Sequence, residues 1–288
     1  MEGNIIKKVL VTGAKGQLGS ELVLVLKEFG YTVFSFGRDQ LDITNEVEVF
    51  NQVTKVNPNI IIHCAAFTDV DGAESNPDLS FLVNGIGTRN IAIAAESIQA
   101  KLVYISTDYV FNGKSNTPYN EYSKTDPINI YGLSKLAGEC FVRDFHSKYF
   151  IIRTSWVFGT NGKNFIKTMI ELSKQQSQLM VVKDQIGCPT YTLDLAKSVI
   201  EIMESSKYGT YHVSNSGSCS WYELANELFN QLSINIELKS CGTKEFPRIA
   251  NRPKYSVMDH LNLRINEFKL LPHWRDALKD FLKRNVYK

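Results

Sequence analysis

The chain alternates short, nearly continuous apolar runs with longer stretches in which apolar residues recur every three or four positions. The short runs predict strands buried on both faces, and the longer stretches predict amphipathic helices. The strand runs lie at residues 8–12, 32–36, 60–64, 102–106 and 150–154. The helical patterns cover residues 18–29, 45–56 and 77–97, and a further helix carries Tyr131 and Lys135. This repetition predicts an α/β protein with a Rossmann-type doubly wound parallel sheet.

The regular alternation weakens after Gly159, where turn residues become denser. Residues 211–213 still resemble a strand, and residues 221–232 a helix capped by Ser220. We therefore expect residues 1–158 to form the Rossmann domain, with a returning strand near residues 210–214. Residues 159–288 are expected to build mainly a smaller C-terminal substrate-binding lid.

Composition narrows the classes of protein that this chain resembles. Its 288 residues are 43% hydrophobic and 22% charged, which is ordinary for a globular protein. A formal net charge of +2 provides no electrostatic reason to expect nucleic acid or a membrane surface as partner. No apolar run approaches the ~18 residues of a membrane span, and none follows the basic start as in a signal peptide. We therefore predict a cytoplasmic protein.

The cysteines give no indication of a metal site or of disulfides. There are five, widely separated and without a CxxC pair. They are Cys64, Cys140, Cys188, Cys219 and Cys241. An odd number at such spacing suggests neither a zinc site nor a disulfide framework. Cys64 and Cys140 lie in apolar segments and are predicted to be small buried residues.

A glycine-rich loop follows the first strand directly. It reads Gly13-Ala14-Lys15-Gly16-Gln17-Leu18-Gly19 and leads into the first helix. Glycines between a strand and a helix allow a tight turn and a close approach of the backbone to a pyrophosphate, which the helix N-terminus faces. The spacing is GxxGxxG rather than the more common GxGxxG, but its context predicts a dinucleotide site.

A tyrosine and a lysine stand four residues apart at Tyr131 and Lys135. On a helix they share one face. A nearby ammonium favours the phenolate and lowers the pKa of the tyrosine, which makes it a usable acid or base. Thr107 ends the strand at 102–106, so its hydroxyl should lie at the carboxyl edge of the sheet, where open α/β sheets bind ligands.

With these motifs and several others, the chain resembles the extended short-chain dehydrogenase/reductase superfamily over essentially its whole length. Within it the chain is most similar to the dTDP-4-dehydrorhamnose reductases. The most specific segments are Ser106-Thr107-Asp108-Tyr109-Val110-Phe111, Tyr131 to Lys135 with Ala137-Gly138-Glu139, Arg153-Thr154-Ser155-Trp156-Val157-Phe158, Asp184 to Thr190 and Asn251-Arg252-Pro253.

The resemblance implies a role for each matching residue. Tyr131 would protonate the C4 oxygen of a ketosugar, Lys135 would bind the nicotinamide ribose, and Thr107 would hold the same oxygen. Substrate contacts would come from Thr107, Asp108, Trp156 and Arg252, the last as a diphosphate clamp. Cofactor contacts would come from Gly13, Gly16, Gln17, Leu18, Gly19, Arg38, Asp42, Ile43, Ala65, Ala66 and Lys135. From the residues alone, Trp156 could instead be a core aromatic, Asp108 a turn cap and Arg252 a solvated surface residue.

The implied reaction is reduction of the C4 ketone of dTDP-4-dehydro-L-rhamnose to dTDP-L-rhamnose. A related dehydratase would need Asp-Glu after the threonine, whereas this chain has Asp108-Tyr109 and lacks the second carboxylate. Another nucleotide-sugar 4-ketoreductase, an epimerase and a non-catalytic cofactor-binding regulatory subunit remain as alternatives. Retention of Thr107, Tyr131 and Lys135 together argues against the last of these.

The cofactor and metal predictions depend on two short segments. Gly37-Arg38-Asp39 follows the second strand, and because Arg38 comes first we expect NADPH, with NADH as an alternative. Some family members hold Mg²⁺ at a dimer interface through glutamates. Glu21 fits one such position, but Tyr191-Thr192-Leu193 supplies no carboxylate. We therefore predict no metal, and a monomer or weak homodimer.

Overall fold

The first half of the chain alternates strands and helices in the predicted order. The computed structural model describes residues 7–285, so residues 1–6 and 286–288 of the two predicted units lie outside the described residues. The elements are β1 (Lys8–Thr12), α1 (Gln17–Glu28), β2 (Thr32–Phe36), α2 (Glu46–Val56), β3 (Ile60–His63), α3 (Val70–Ser75), α4 (Pro77–Phe81), a π-helical turn (Leu82–Ile86), α5 (Gly87–Ser97), β4 (Lys101–Thr107), a 3₁₀ turn (Asp108–Val110), α6 (Ile130–Phe145) and β5 (Tyr149–Thr154).

The second half contains shorter strands between its helices. They are β6 (Val157–Phe158), α7 (Phe165–Gln175), β7 (Gln178–Val182), β8 (Ile186–Gly187), β9 (Thr190–Tyr191), α8 (Thr192–Glu204), β10 (Gly209–His212), β11 (Asn215–Ser216), β12 (Cys219–Ser220), α9 (Trp221–Leu232), β13 (Glu237–Cys241), a 3₁₀ turn (Thr243–Glu245), α10 (Leu261–Ile265), β14 (Leu271–His273) and α11 (Trp274–Asn285).

Six parallel strands form the central sheet in the order β10-β5-β4-β3-β1-β2. The chain runs outward from β1 to β2, then crosses to β3 on the other side of β1. This reversal creates a crevice at the carboxyl ends of the strands, where such sheets bind ligands. The glycine loop after β1 lies at this point. The predicted doubly wound parallel sheet is therefore confirmed.

Both faces of the sheet are buried, as its continuous apolar strands require. Val9 and Val11 of β1 point to a core shared with α1 and α8, whereas Leu10 between them points to a core shared with α2 and α5. Helix α8 packs along α1, and β10 adds to the edge of the sheet beside β5. The second half therefore completes the sheet layer, as predicted for the strand near residues 210–214.

The predicted single helix over residues 77–97 is wrong in detail. Helices α4 and α5 are separated by one π-helical turn. Inside that turn, Asn84 is buried and bonds both ways to the backbone of Phe67, at 2.8 Å from the Phe67 N–H and 3.0 Å to its carbonyl. Its amide also donates to Ser134 on α6. These tertiary hydrogen bonds hold Asn84 in place, and no local sequence pattern predicts them.

The lid is assembled from pairs of very short strands rather than from a second large sheet. The pairs are β6 with β9, β8 with β12, β7 with β13 and β11 with β14. The domain boundary at residue 158 stays a prediction. Helix α8 and strand β10 follow that residue in the chain, but they lie in the sheet layer of the first unit. Among residues 7–285, none of the helices combines the length and apolar character that crossing a bilayer requires.

Candidate active site

A cavity of about 980 Å³ opens at the carboxyl ends of β1, β3, β4 and β5. All but one of the predicted site residues line it. They are Gly13, Gly16, Gln17, Leu18, Gly19, Arg38, Asp42, Ile43, Ala65, Ala66, Thr107, Asp108, Tyr131, Lys135 and Trp156. The exception is Arg252. The topology thus brings a glycine loop and a tyrosine–lysine pair, 112 positions apart between Gly19 and Tyr131, to one crevice.

The glycine loop approaches its neighbours too closely for side chains. Gly13 has a φ of +65°, and a Cβ there would stand 2.6 Å from the backbone nitrogen of Ala65. Gly16 caps α1 with no side chain over the first turn. The free N–H groups at the start of α1 therefore face the cavity side of the loop, an arrangement that suits a pyrophosphate.

The cavity end near β2 carries two cations. Arg38 is exposed and lines the cavity, and it forms no ion pair within residues 7–285. The neighbouring Asp39 is held by Lys15, whose Nζ lies 2.7 Å from its Oδ2. This hydrogen bond lowers the pKa of Asp39, which keeps the carboxylate charged but paired. Lys15 also lines the cavity. Lys15 was not among the predicted site residues, because its pairing with Asp39 joins two loops that are distant in sequence.

The predicted catalytic residues come from two neighbouring elements. Thr107 ends β4, and Asn129 caps α6 by accepting a hydrogen bond of 2.7 Å from the Gly132 N–H. Tyr131 and Lys135 follow in the first two turns of α6. The Lys135 Nζ donates to the carbonyl of Ile105 at 2.7 Å and lies 4.2 Å from the centre of the Tyr104 ring. The ammonium is therefore held against β4.

The expectation that Lys135 lowers the pKa of Tyr131 is not met. Burial raises the pKa of Tyr131 to about 12, although a hydrogen bond with Thr107 acts in the opposite direction. Burial lowers the pKa of Lys135 to about 7, while the charge of Glu139 opposes this shift. Desolvation is the largest cause of both pKa shifts, because both groups lie at the base of the cavity. Tyr131 is consequently a neutral phenol at neutral pH, the form that donates a proton.

Asp108 stands beside Thr107 and is 2% exposed. The Thr107 hydroxyl donates to its Oδ1 at 3.1 Å and accepts from the Tyr109 N–H at 3.2 Å. Burial raises the pKa of Asp108 to about 6, and hydrogen bonds from Ser256 and Thr107 limit the rise. Asp108 is thus a buried carboxyl at the cavity wall rather than only a local turn cap.

Arg252 does not line the cavity itself, but lies directly behind a residue that does. Its Nη1 and Nη2 each lie 3.1 Å from a different oxygen of Asp71, which makes a bidentate pair. Asp71 also accepts a hydrogen bond of 3.1 Å from the Ala250 N–H. The alternative of a freely solvated arginine is therefore wrong. The guanidinium also hydrogen-bonds Tyr109, which lines the cavity. Its role as a diphosphate clamp stays a prediction.

Two further cavity residues were not expected from sequence. Trp221, the first residue of α9, stacks on Trp156 with ring centres 3.5 Å apart. Thr154, at the end of β5, also lines the cavity, and its buried hydroxyl has no hydrogen-bond partner in the described part of the chain. The sequence signal for Trp221 was present only as the start of a capped helix.

The structure corrects the cysteine prediction and gives Glu21 a hydrogen-bond partner. Cys140 is exposed and Cys64 lines the cavity half-buried, so the expectation that both are buried is wrong. Glu21 accepts a hydrogen bond of 3.2 Å from the Thr192 hydroxyl. Among the described residues, no group of three or more His, Cys, Asp or Glu side chains could hold a metal ion. The expectation that the chain holds no metal stays a prediction.

Comparison with known proteins gives the family. The model described as "RmlD substrate binding domain" matches residues 7–286. This chain belongs to that family. The spore coat polysaccharide biosynthesis protein SpsK of Bacillus subtilis (strain 168) is 45% identical over 96% of this chain and 97% of its own length. A dTDP-4-dehydrorhamnose reductase of Streptomyces griseus is 39% identical over 94% of this chain and 91% of its own length.

Solved structures agree over nearly the whole chain. The dTDP-4-dehydrorhamnose reductase of Bacillus anthracis str. Ames, crystallised in complex with NADP, superimposes with a TM-score of 0.96 at 48% identity. The match covers 97% of this chain and 100% of that one. A UDP-glucose 4-epimerase from Thermus thermophilus, in complex with NAD, has a TM-score of 0.83 at 20% identity over 97% of this chain and 99% of its own. That second match concerns the fold alone.

Proposed function

We propose that this protein is an NADPH-dependent reductase that converts the C4 ketone of dTDP-4-dehydro-L-rhamnose to the alcohol of dTDP-L-rhamnose. The observation that carries the proposal is the single cavity shared by Thr107, Tyr131, Lys135 and the glycine loop. Family membership and relatives named as dTDP-4-dehydrorhamnose reductases support the same reaction.

The proposed chemistry assigns each residue one task. NADPH, when bound, supplies the hydride that reduces C4. The Tyr131 phenol donates the proton that the ketone oxygen receives, and its pKa of about 12 keeps that proton in place at neutral pH. The Thr107 hydroxyl, which is hydrogen-bonded to Tyr131, positions the ketone oxygen. Lys135, held by the Ile105 carbonyl, orients the cofactor ribose.

NADPH is preferred over NADH in this proposal because of the charges near β2. An unpaired carboxylate at this place would repel a 2′-phosphate, but Lys15 already pairs with Asp39. Arg38 is left to meet the phosphate with a guanidinium fork. The relative from Bacillus anthracis was crystallised with NADP, and NADH remains the alternative cofactor.

The alternative functions would use the same cavity, and each is distinguished by a different observation. An epimerase or a different 4-ketoreductase would use the same three residues, so only the substrate and product distinguish it. A regulatory subunit would bind cofactor without turnover. The dehydratase needs a carboxylate where this chain has Tyr109, whose ring instead packs edge-on against Tyr131 at 5.8 Å.

The deciding experiment incubates the purified protein with dTDP-4-dehydro-L-rhamnose and follows the loss of NADPH absorbance. The product is then identified by nuclear magnetic resonance, and Tyr131→Phe serves as the matched control. Formation of dTDP-L-rhamnose by the wild type alone supports the proposal. A different sugar product would favour another ketoreductase or an epimerase. NADPH binding without any oxidation would favour the regulatory subunit.

The proposal includes a cytoplasmic location and a monomer or weak homodimer. All five cysteines are free, as in proteins of reducing compartments. We further propose that residues 1–158 bind the cofactor and residues 159–288 mainly the sugar nucleotide. Cell fractionation, sedimentation over a range of protein concentrations, and nucleotide binding to variants of each unit test these points separately.

A further inference from the structure

Two tryptophans from different parts of the chain form one wall of the cavity. Trp156 follows β5, and Trp221 begins α9. Their rings are nearly parallel, at 6°, with centres 3.5 Å apart, and both side chains are half-buried. The third tryptophan, Trp274, is fully buried and does not line this cavity. The stacked pair therefore has an open side that faces the cavity.

The backbone of Trp156 adopts a conformation that its side chain does not favour. Its φ is +48°, in the left-handed region that side chains with a Cβ rarely occupy. Such a conformation persists only where the surroundings hold it, and it is concentrated at functional sites. One restraint is Gly187, where a Cβ would lie 2.6 Å from Cε2 and 2.7 Å from Nε1 of the indole. The nitrogen edge of Trp156 is thus turned toward Gly187.

Trp221 supplies the opposing restraint. Strand β12 pairs Cys219 with Gly187, so the residue that supports one edge of Trp156 also anchors the chain that carries Trp221. Ser220 and Glu223 form a capping box that fixes the first turn of α9. Phe165 packs against Trp221 at 4.6 Å. Trp221 is therefore a rigid plate against which the Trp156 indole is held.

The wall lies at the same edge of the sheet as the proposed catalytic threonine. Thr154 pairs in register with Thr107, and Trp156 lies two residues beyond Thr154. In the proposed substrate, C5 and its methyl group C6 adjoin the C4 ketone, and C6 carries no oxygen. An aromatic face buries a methyl group favourably but gives a hydroxyl no hydrogen-bond partner.

We propose that Trp221 is a specificity-determining positioning residue, which, through Trp156, makes the cavity select sugar nucleotides that lack a hydroxyl at C6. This inference rests on the proposed function. A hydrophobic site rejects a ligand that adds one hydroxyl by roughly tenfold to hundredfold. The wild type should therefore bind dTDP-L-rhamnose at least about tenfold more tightly than dTDP-L-mannose, which differs from it only by that hydroxyl.

The test is a calorimetric titration of wild type, Trp221→Ala and Trp221→Phe with these two ligands and with dTDP alone. Trp221→Ala should reduce the rhamnose preference to within about threefold while dTDP affinity stays within about twofold. Trp221→Phe retains an aromatic plate and should recover most of the preference. Trp274→Phe is the matched control, because it removes a tryptophan outside the cavity and should leave the preference unchanged.

Circular dichroism provides a readout that does not depend on ligand. Stacked indoles couple their transitions, so the wild type and Trp274→Phe should show an exciton couplet that both Trp221 variants lose. Wild-type binding with an unchanged preference in Trp221→Ala would overturn this inference and leave the proposed function standing. A loss of dTDP affinity equal to the loss for dTDP-L-rhamnose would also overturn it. Failure of the wild type to bind either sugar nucleotide would refute both.

Discussion

Replacing Glu139 with glutamine should destabilise this protein more than any change at its surface. Glu139 is fully buried on α6, eight residues after Tyr131 and four after Lys135. Its carboxylate accepts hydrogen bonds from Ser106 at 2.6 Å, from Arg153 Nε at 2.8 Å and Nη2 at 2.7 Å, and from Arg143 at 2.7 Å. One carboxylate thus joins α6, which carries the tyrosine, to β4 and β5.

The size of the stability loss can be worked out from the pKa of Glu139 and from the cost of breaking a buried ion pair. Burial alone would raise the pKa of Glu139, but Arg153, Arg143 and Ser106 hold it at about 2, against 4.5 for a free glutamate. A difference of that size corresponds to about 3 kcal/mol of unfolding free energy above pH 4.5. Removing one partner from a buried ion pair costs about 3–5 kcal/mol, because Arg153 stays buried without its counter-charge.

Thermal unfolding measures this effect. A loss of about 3 kcal/mol should lower the Tm of Glu139→Gln by roughly 6–12 °C at neutral pH. The pKa of Glu139 is lowered by folding, so its contribution is complete above about pH 4.5 and is lost as the pH falls toward 2. The difference in Tm between wild type and Glu139→Gln should therefore become smaller in acid. The double variant Glu139→Met/Arg153→Met should recover part of the loss, since no charge is left unpaired between these two positions.

Three results would refute this reasoning. They are a Tm loss below about 2 °C, a gap that does not change in acid, and a double variant whose loss equals the sum of the two single losses.

Four further predictions concern the cavity and its supports. Tyr131→Phe should lower kcat by about 10²–10⁴-fold with NADPH affinity nearly unchanged, because only the proton donor is lost; a kcat within a few-fold of wild type would contradict this. Arg38→Ala and Lys15→Ala should each weaken NADPH more than NADH in fluorescence titrations, and equal losses would oppose the phosphate assignment. Burial lowers the pKa of Lys135 to about 7, so the folded state binds fewer protons than the unfolded state above that pH. The stability of wild type relative to Lys135→Met should therefore rise from about pH 7 to 10, and a flat difference would contradict this. Arg252→Ala should lower kcat as well as raise KM for the sugar nucleotide, whereas a change in KM alone would favour the diphosphate clamp.

The sheet could be predicted from sequence because its signal is local. Apart from the edge strand β2, the strands of the first half are buried on both faces, so each appears in the sequence as an apolar run of four to seven residues. The lid has no such signal. Strands β8 and β12 are two residues long, and their pairing depends on contacts across more than thirty positions. No periodicity exists over two residues, so these strands could not be predicted.

Some features of the site were likewise predictable from local motifs, whereas others depend on the surrounding fold. The glycine loop and the Tyr131–Lys135 spacing are local motifs, and the structure brings both to one cavity. The pKa of Tyr131 could not be predicted from the spacing, because the desolvation that raises it comes from the surrounding fold. The stack of Trp156 on Trp221 likewise joins residues whose local patterns indicate only a strand end and a helix start.

Arg252 shows how a residue outside the cavity can still act on the reacting group. It holds Asp71 by two hydrogen bonds, and the preceding residue, Asn251, offers its carbonyl to the side chain of Asn129 at 2.7 Å. Asn129 caps α6 immediately before Tyr131, so the Asp71–Arg252 pair steadies the helix start that aims the phenol. A diphosphate clamp would act on the binding of substrate, whereas a support of the helix start would act on the chemical step. Loosening the support misplaces the proton donor, and because small misplacements of reacting groups slow the chemical step, the change should appear in kcat.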